Sequence, residues 1–199
     1  MEKSSLFNSF YNDTPDKFNQ KGRLSLLPLT DDILNKYIDD LWEYSSDEKF
    51  YAYLEYKCFA SKQECLQYFT NILRSIHDNN GMLWLIILLS ENKAIGTIRL
   101  TYWDLNRENV QVGYGISPKY GRNGYFTEAL GSIIKFTFDV LGFYRIESWT
   151  RSDNVGSIKG IEKLGFEHEG TLRENNLKYD GTRHDVVIYS LLKSDKSIS

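Results

Sequence analysis

Eight consecutive residues, Met82-Leu83-Trp84-Leu85-Ile86-Ile87-Leu88-Leu89, carry no charged or amide side chain, and no other stretch of the chain is as long and apolar. The run is far shorter than the ~20 residues that a membrane-spanning helix needs, so the protein itself has to cover it. Successive strand residues face opposite sides, and apolar side chains at every position call for cover on both faces of a sheet. Gly81 precedes the run, and Glu91-Asn92-Lys93 supplies a turn into a second strand over residues 94–102. On that strand Gly96, Ile98, Leu100 and Tyr102 fall on one face.

The remaining elements follow from periodicity and punctuation. Residues 23–29 read as a first strand stopped by Pro28, and Thr30-Asp31-Asp32 reads as a helix start with Thr30 as cap. Ile33, Leu34, Tyr37, Ile38, Leu41 and Trp42 then recur at helical spacing. After an aromatic connection over 50–59, Ser61 and Glu64 form a capping-box pattern opening a helix with Cys65, Tyr68, Phe69, Ile72 and Ile76 inward. Residues 110–117 alternate, with Val110, Val112, Tyr114 and Ile116 to one side and Gln111, Gly113 and Gly115 to the other. Pro118 ends that strand, and Gly121-Arg122-Asn123-Gly124 leads into a long helix stopped at Gly142. A strand over 145–151, a short helix over 154–164 and a hairpin of 166–172 with 185–192 complete the chain. The order β-α-α-β-β-β-α-β-α-β-β predicts an α/β domain with a mixed sheet. The 199 residues suit one domain over 23–193, with a polar, unperiodic arm over 1–22 and a tail over 194–199.

Composition excludes several classes. The 24 basic and 27 acidic residues give a net charge of −3, the wrong balance for a surface that tracks nucleic-acid phosphates, although a local anion site stays compatible with it. Cys58 and Cys65 have no third cysteine and lie far in sequence from the histidines, so no metal pattern forms. They are expected to be reduced thiols of a cytoplasmic protein. Residues 1–12 lack the apolar run of a signal peptide, and neither a membrane nor a nucleic acid is an expected partner.

Three neighbouring features carry chemistry. Glycines at 113 and 115 leave one face of a strand bare, as a close packing partner or an extended amide-bearing ligand would require. The turn from Gly121 to Gly124 opens a helix, where unpaired amides and the helix dipole favour an anion; by itself it is equally an ordinary glycine turn. Asn154 caps a helix and Ser157 lies one turn along it. Together they suit a ligand with a pyrophosphate at one end and peptide-like amides at the other, the shape of coenzyme A.

These residues resemble a known family. The run from Ile116 through Ser117, Pro118, Gly121, Arg122, Asn123, Gly124, Tyr125, Phe126 and Thr127 to Leu130 is similar to the acetyl-CoA motif of the GNAT superfamily. Asn154-Val155-Gly156-Ser157 followed by Glu162-Lys163-Leu164-Gly165-Phe166 resembles the corresponding segment of its RimJ/RimL-type branch. Similar segments run from Arg23 to Leu192. Three departures stand out: Gly121 at the first position of the turn motif, Phe126 at its last small position, and Gln111 where that branch often has an acid.

The resemblance implies a GNAT-like, mixed and mostly antiparallel sheet of about seven strands flanked by about four helices. It implies transfer of an acetyl group from acetyl-CoA to a primary amine, of a small molecule such as an amino sugar or of a protein N-terminus, by a monomer or homodimer without metal. The cofactor would be held by Gly115, Ile116, Ser117, Gly121, Arg122, Asn123, Gly124, Tyr125, Phe126, Thr127, Asn154 and Ser157. Asn154 would hold the pantetheine and Ser157 would protonate the leaving sulfur. A backbone amide around 115–117 could stabilise the oxyanion. For the base, Glu169, Asp185, His168, His184 and a water relay are candidates without a choice among them, while Glu128 fits a cap or salt bridge. Tyr51, Tyr53, Tyr56 and Phe59 are either acceptor walls or core. A silent CoA-binding module is the alternative to an enzyme.

Overall fold

The computed structural model describes residues 19, 21–78 and 81–195. Most of the arm expected over 1–22 and of the tail over 194–199 lies outside them. One seven-stranded sheet runs in the order β1-β2-β3-β4-β5-β7-β6, with strands at Leu24–Pro28, Met82–Leu88, Lys93–Asp104, Asn109–Ile116, Arg145–Arg151, Glu167–Leu177 and Arg183–Leu192 for β1 to β7. Helices α1 (Asp31–Ser45) and α2 (Lys62–His77) cover one face, and α3 (Tyr125–Asp139) and α4 (Val155–Glu162) the other. No described helix is long and apolar enough to cross a membrane.

Every residue of β2 is buried. Met82, Trp84, Ile86 and Leu88 pack into the α3 layer, whereas Leu83, Leu85 and Ile87 pack under α1 and α2. This is the two-sided cover that the apolar run demands, each fully buried side chain contributing about 1.5–3 kcal/mol. Helix starts are local: Thr30 Oγ1 accepts from the Ile33 amide at 3.2 Å, and Ser61 Oγ from that of Glu64 at 3.2 Å. The Glu64 carboxylate accepts from Ala60 N at 2.8 Å, one residue before the expected Ser61.

Three expectations need correction. Tyr102 does not continue the buried face of β3; it is 84% exposed, because pairing with β4 slips between Thr101 and Asp104 and Tyr102 takes a φ of 49°. On α2, Leu73 is buried while Tyr68 is partly exposed. The closing hairpin is longer at its turn end, since β6 runs to Leu177 and β7 starts at Arg183.

All neighbouring strands are antiparallel except β4 and β5, which α3 joins by a parallel crossover. That pair keeps only Asn109↔Arg145, Val110↔Ile146 and Gln111↔Glu147 in register. Beyond Gln111 the two strands part while each continues, β4 along β3 and β5 along β7. The sheet therefore carries a wedge-shaped gap at its centre.

A half-buried ion pair ties the edge of the sheet to the wedge. The Glu128 carboxylate, 2% exposed on α3, binds Arg23 Nη2 at 2.7 Å and Nε at 2.8 Å, and accepts from the Arg23 amide at 3.0 Å. Arg23 Nη1 reaches Asn123 O at 3.2 Å, and its guanidinium lies 4.6 Å from the Tyr125 ring centroid. Arg23→Met strands a buried carboxylate and is expected to destabilise the protein by about 3–5 kcal/mol. Glu128→Gln keeps an acceptor for the Arg23 amide and is expected to cost less. Urea denaturation of both variants checks the asymmetry; equal losses would contradict it.

Candidate active site

Strand β4 directs its amides alternately to its two neighbours. The Ser117 N–H reaches Ile95 O on β3 at 2.8 Å, so the same parity sends the amides of Tyr114 and Ile116 toward β5. By that point β5 has diverged. Those two amides face the wedge instead of a ladder partner. Of the amides over 115–117, that of Ile116 faces the wedge, with that of Tyr114 beside it.

The turn after β4 builds the mouth of the wedge. Pro118–Tyr120 form a 3-10 turn whose Tyr120 hydroxyl donates to Glu91 Oε2 at 2.5 Å, and the Gly121 amide closes on Pro118 O at 3.2 Å. Arg122 and Gly124 then take left-handed φ values of 63° and 75°. A Cβ on Gly124 would meet only Arg23 Nη2 at 3.7 Å, so conformation, more than space, calls for glycine there. Glu128 N bonds back to Gly124 O at 3.1 Å; the preceding amides of α3 have no intrahelical acceptor and point outward with the positive end of its dipole.

A groove of about 560 Å³ joins this turn, the end of β4 and the start of α4. Among the described residues its charged lining is Lys49, Arg122, Lys159 and Lys163, with no carboxylate. Of the residues expected at the cofactor, Gly115, Ile116, Gly121, Arg122, Gly124, Phe126, Thr127, Asn154 and Ser157 line it. Three do not. Ser117 is buried with its amide on β3, Asn123 folds its side chain back onto Tyr120 O and Gly121 O, and the Tyr125 ring packs beneath Arg23. The atypical Phe126 has a compensating glycine: a Cβ on Gly160 would lie 2.4 Å from its ring.

At the inner end, Asn154 Oδ1 caps α4 by accepting from the Ser157 amide at 3.2 Å, so its expected capping role is realised. Ser157 Oγ lies 2.7 Å from Tyr114 Oη, which in turn lies 3.2 Å from Ser148 Oγ. Burial pushes the Tyr114 phenol above its usual range against the smaller lowering by the two serines, so it stays protonated at neutral pH. This hydroxyl chain was missed in the sequence, where Tyr114 read only as an inward apolar position; only the fold brings residues 114, 148 and 157 together.

The other face of β4 is covered by side chains, not by a helix. The Phe50 ring sits 2.7 Å from where a Cβ on Gly115 would be, and Arg99 Nε 2.8 Å from one on Gly113. Behind them lies a second cavity of about 300 Å³, lined by Tyr51, Tyr56, Phe59, Tyr68 and Arg99 among others. An outer groove of about 310 Å³ opens past Tyr53, Glu55, Gln111 and Asn176, again with Ser157 and Arg99 in its lining. Tyr51 is buried, whereas Tyr53 and Tyr56 are exposed, so the aromatic connection is part core and part wall. Leu54 and Tyr114 line all three spaces.

The carboxylates and histidines expected as bases are elsewhere. Glu169 is held by Arg145 at 2.7 Å and by the Ser190 hydroxyl at 2.6 Å, which lower its pKa to about 2. Asp185 accepts from the Glu174 amide at 2.8 Å, His168 packs on the Tyr189 ring, and His184 lies beside Thr182 and Asp153. None of the four lines the groove or the two adjoining spaces. Glu55 does line the outer groove, its carboxylate accepting from Asn176 Nδ2 at 2.9 Å.

A depressed carboxylate pKa adds stability that is full above the unfolded value of 4.5 and is lost as pH falls toward about 2. Glu169→Gln is therefore expected to cost at most about 1 kcal/mol at pH 7, since the pair is partly exposed. That deficit should vanish by about pH 2, with turnover at pH 7 unchanged. Stability and activity measured against pH check both; loss of turnover would return Glu169 to the site.

Residues 23–167 match the acetyltransferase (GNAT) domain family. YoaA of Bacillus subtilis, an uncharacterized N-acetyltransferase, is 31% identical over 116 residues, 58% of this chain and just under two thirds, 65%, of that protein. Among solved structures, a GCN5-related N-acetyltransferase from Brucella melitensis superposes with a TM-score of 0.80 at 24% identity, covering 93% of this chain and 80% of that one. A spermidine N-acetyltransferase from Vibrio cholerae, in complex with CoA and spermine, gives a TM-score of 0.73 at 19% identity, with 88% and 98% covered. At these identities the two structures establish a shared fold.

Proposed function

Since the chain belongs to the GNAT acetyltransferase family, we propose that it is an acyltransferase that moves the acetyl group of acetyl-CoA directly to a primary amine, with Ser157 at the departing sulfur. The observation that carries this is the groove's charge: among the described residues it has four cations and no carboxylate around the first α3 amides, on a chain of net charge −3. Such a funnel suits the phosphates of CoA. The amides of Tyr114 and Ile116, left over by the strand divergence, suit the pantetheine amides and the thioester carbonyl. The CoA-bearing Vibrio structure shares this fold, in support of the same cofactor here.

Direct transfer forms one C–N bond and breaks one C–S bond. The amine gives up a proton, and the thiolate takes one. Preorganised donors from Ile116 or Tyr114 oppose the negative charge that builds on the carbonyl oxygen, an effect worth several kcal/mol. Ser157 supplies a proton or hydrogen bond to the sulfur, held in place by the Tyr114 hydroxyl 2.7 Å away, and solvent in the outer groove, which Ser157 lines, returns the proton. Glu55 takes the amine proton through water, being the one carboxylate among the described residues of the outer groove. Asn154 orients the pantetheine from the start of α4. The acceptor enters from the face opposite the cationic groove, and a small-molecule amine fits these modest spaces better than a folded protein's N-terminus. The domain runs over residues 23–193.

Calorimetry is expected to show acetyl-CoA binding, with a rise in melting temperature; neither heat nor a shift would remove the cofactor assignment. Ser157→Ala should lower kcat by about 10²–10⁴-fold with acetyl-CoA affinity nearly intact, because the hydroxyl meets the sulfur only as charge develops there. Asn154→Ala should lose affinity together with a helix cap worth about 1 kcal/mol. Full turnover by Ser157→Ala, with chemistry rate-limiting, would exclude its role.

Glu55→Gln should depress kcat at neutral pH without changing the acetyl-CoA dissociation constant. An unchanged pH–rate profile in that variant would place the base elsewhere.

A further inference from the structure

Resting on that assignment of the cofactor groove, we infer that the acceptor is an amine bearing its own carboxylate beside an aromatic or apolar body, and that Arg99 is the residue that selects it. The glycine strip of β4 supplies the first observation. Gly113 lets the Arg99 side chain lie flat on the strand, with Cγ 3.3 Å and Nε 2.8 Å from where a Cβ would stand. An alanine there would lift the side chain off the sheet.

Arg99 has no ion pair or side-chain hydrogen bond among the described residues, unlike Arg23, Arg145 and Arg151, which all hold carboxylates. Among the described residues it is also the only charged one lining the 300 Å³ chamber, whose other described walls are aromatic, apolar or hydroxyl-bearing. A cation with five donors and no carboxylate bonded to it among the described residues is set up for a planar anion, which it can grip in a bidentate fashion. The same charge disfavours a polyamine, whose second ammonium would meet Arg99 with no acid among the chamber's described residues.

Position completes the assignment. Arg99 lines both the chamber and the outer groove, and both spaces meet the cofactor groove at Leu54 and Tyr114. Gly113, under Arg99, and Tyr114, whose hydroxyl touches Ser157, face opposite sides of β4, and the outer groove, lined by Arg99 as well as Ser157, connects the two. An acceptor whose amine lies at the junction can turn its carboxylate to Arg99, while its side chain enters between Tyr56, Phe59 and Tyr68. An aromatic α-amino acid fits this description.

The test uses the full chain with phenylalanine, phenethylamine, glucosamine and spermidine as acceptors, following thiol release, alongside the acetyl-CoA melting shift. Phenylalanine is expected to exceed phenethylamine in kcat/KM by about 10–100-fold. Arg99→Met should erase that preference by raising KM for phenylalanine, leaving phenethylamine unchanged, and Arg99→Lys should restore part of it. A preference for phenethylamine, glucosamine or spermidine, an equal effect of Arg99→Met on all acceptors, or no turnover of phenylalanine would overturn the inference. An intact acetyl-CoA melting shift would then leave the cofactor assignment standing; loss of that shift would overturn both.

Discussion

Strands β4 and β5 share three residue pairs and then diverge while each stays paired on its outer side. A sheet that opens in this way leaves backbone donors and acceptors without a ladder partner in its interior, where an unsatisfied group costs about 1–3 kcal/mol. The surrounding elements bear on that opening. Helix α3 enters at its mouth, α4 begins beside it, and the Arg23–Glu128 pair anchors the turn between β4 and α3 to the first strand. Turn, helix start and exposed strand amides then form a continuous polar lining that a ligand with phosphates and amides can complete.

The opening has two sides of different character. Toward α3 and α4 the groove is cationic; toward α1 and α2 the chamber is aromatic, with Arg99 as the one charge among its described residues. Phe50 stands over Gly115 and lines both spaces. A division of this kind suits two-substrate transfer, since each reactant meets its own chemistry and the two approach only near Leu54 and Tyr114. Net charge gives no hint of it, because the four cations of the groove are a small local excess in a chain that is acidic as a whole.

Much of the fold was legible because it is written in local periodicity: the apolar run of β2, the caps at Thr30 and Ser61, and the glycines ending helices. That Gly124, Asn154 and Ser157 line one groove was legible as well. Where the sequence misled, long-range contacts decide. Tyr102 keeps the period of β3 yet is turned out by a bulge set by β4. Gly113 and Gly115 mark a close approach, but only the folded chain reveals that Arg99 and Phe50 make it. Glu169 has the right residue type on the right hairpin, and Arg145, 24 positions away, claims it. Tyr114 looks apolar by spacing, and its hydroxyl gains meaning from Ser148 and Ser157.

Everything proposed for this protein depends on acetyl-CoA seating itself where β4 diverges from β5 and on the turn that follows. Hydrogen exchange of backbone amides with and without CoA reads that binding residue by residue, because the amides in question are the ones left without partners. New protection is expected at Tyr114 and Ile116 and over residues 122–127, with β6 and β7 unaffected. Saturating CoA that leaves the β4 amides exchanging at their free rate, or protects only other segments, would contradict it.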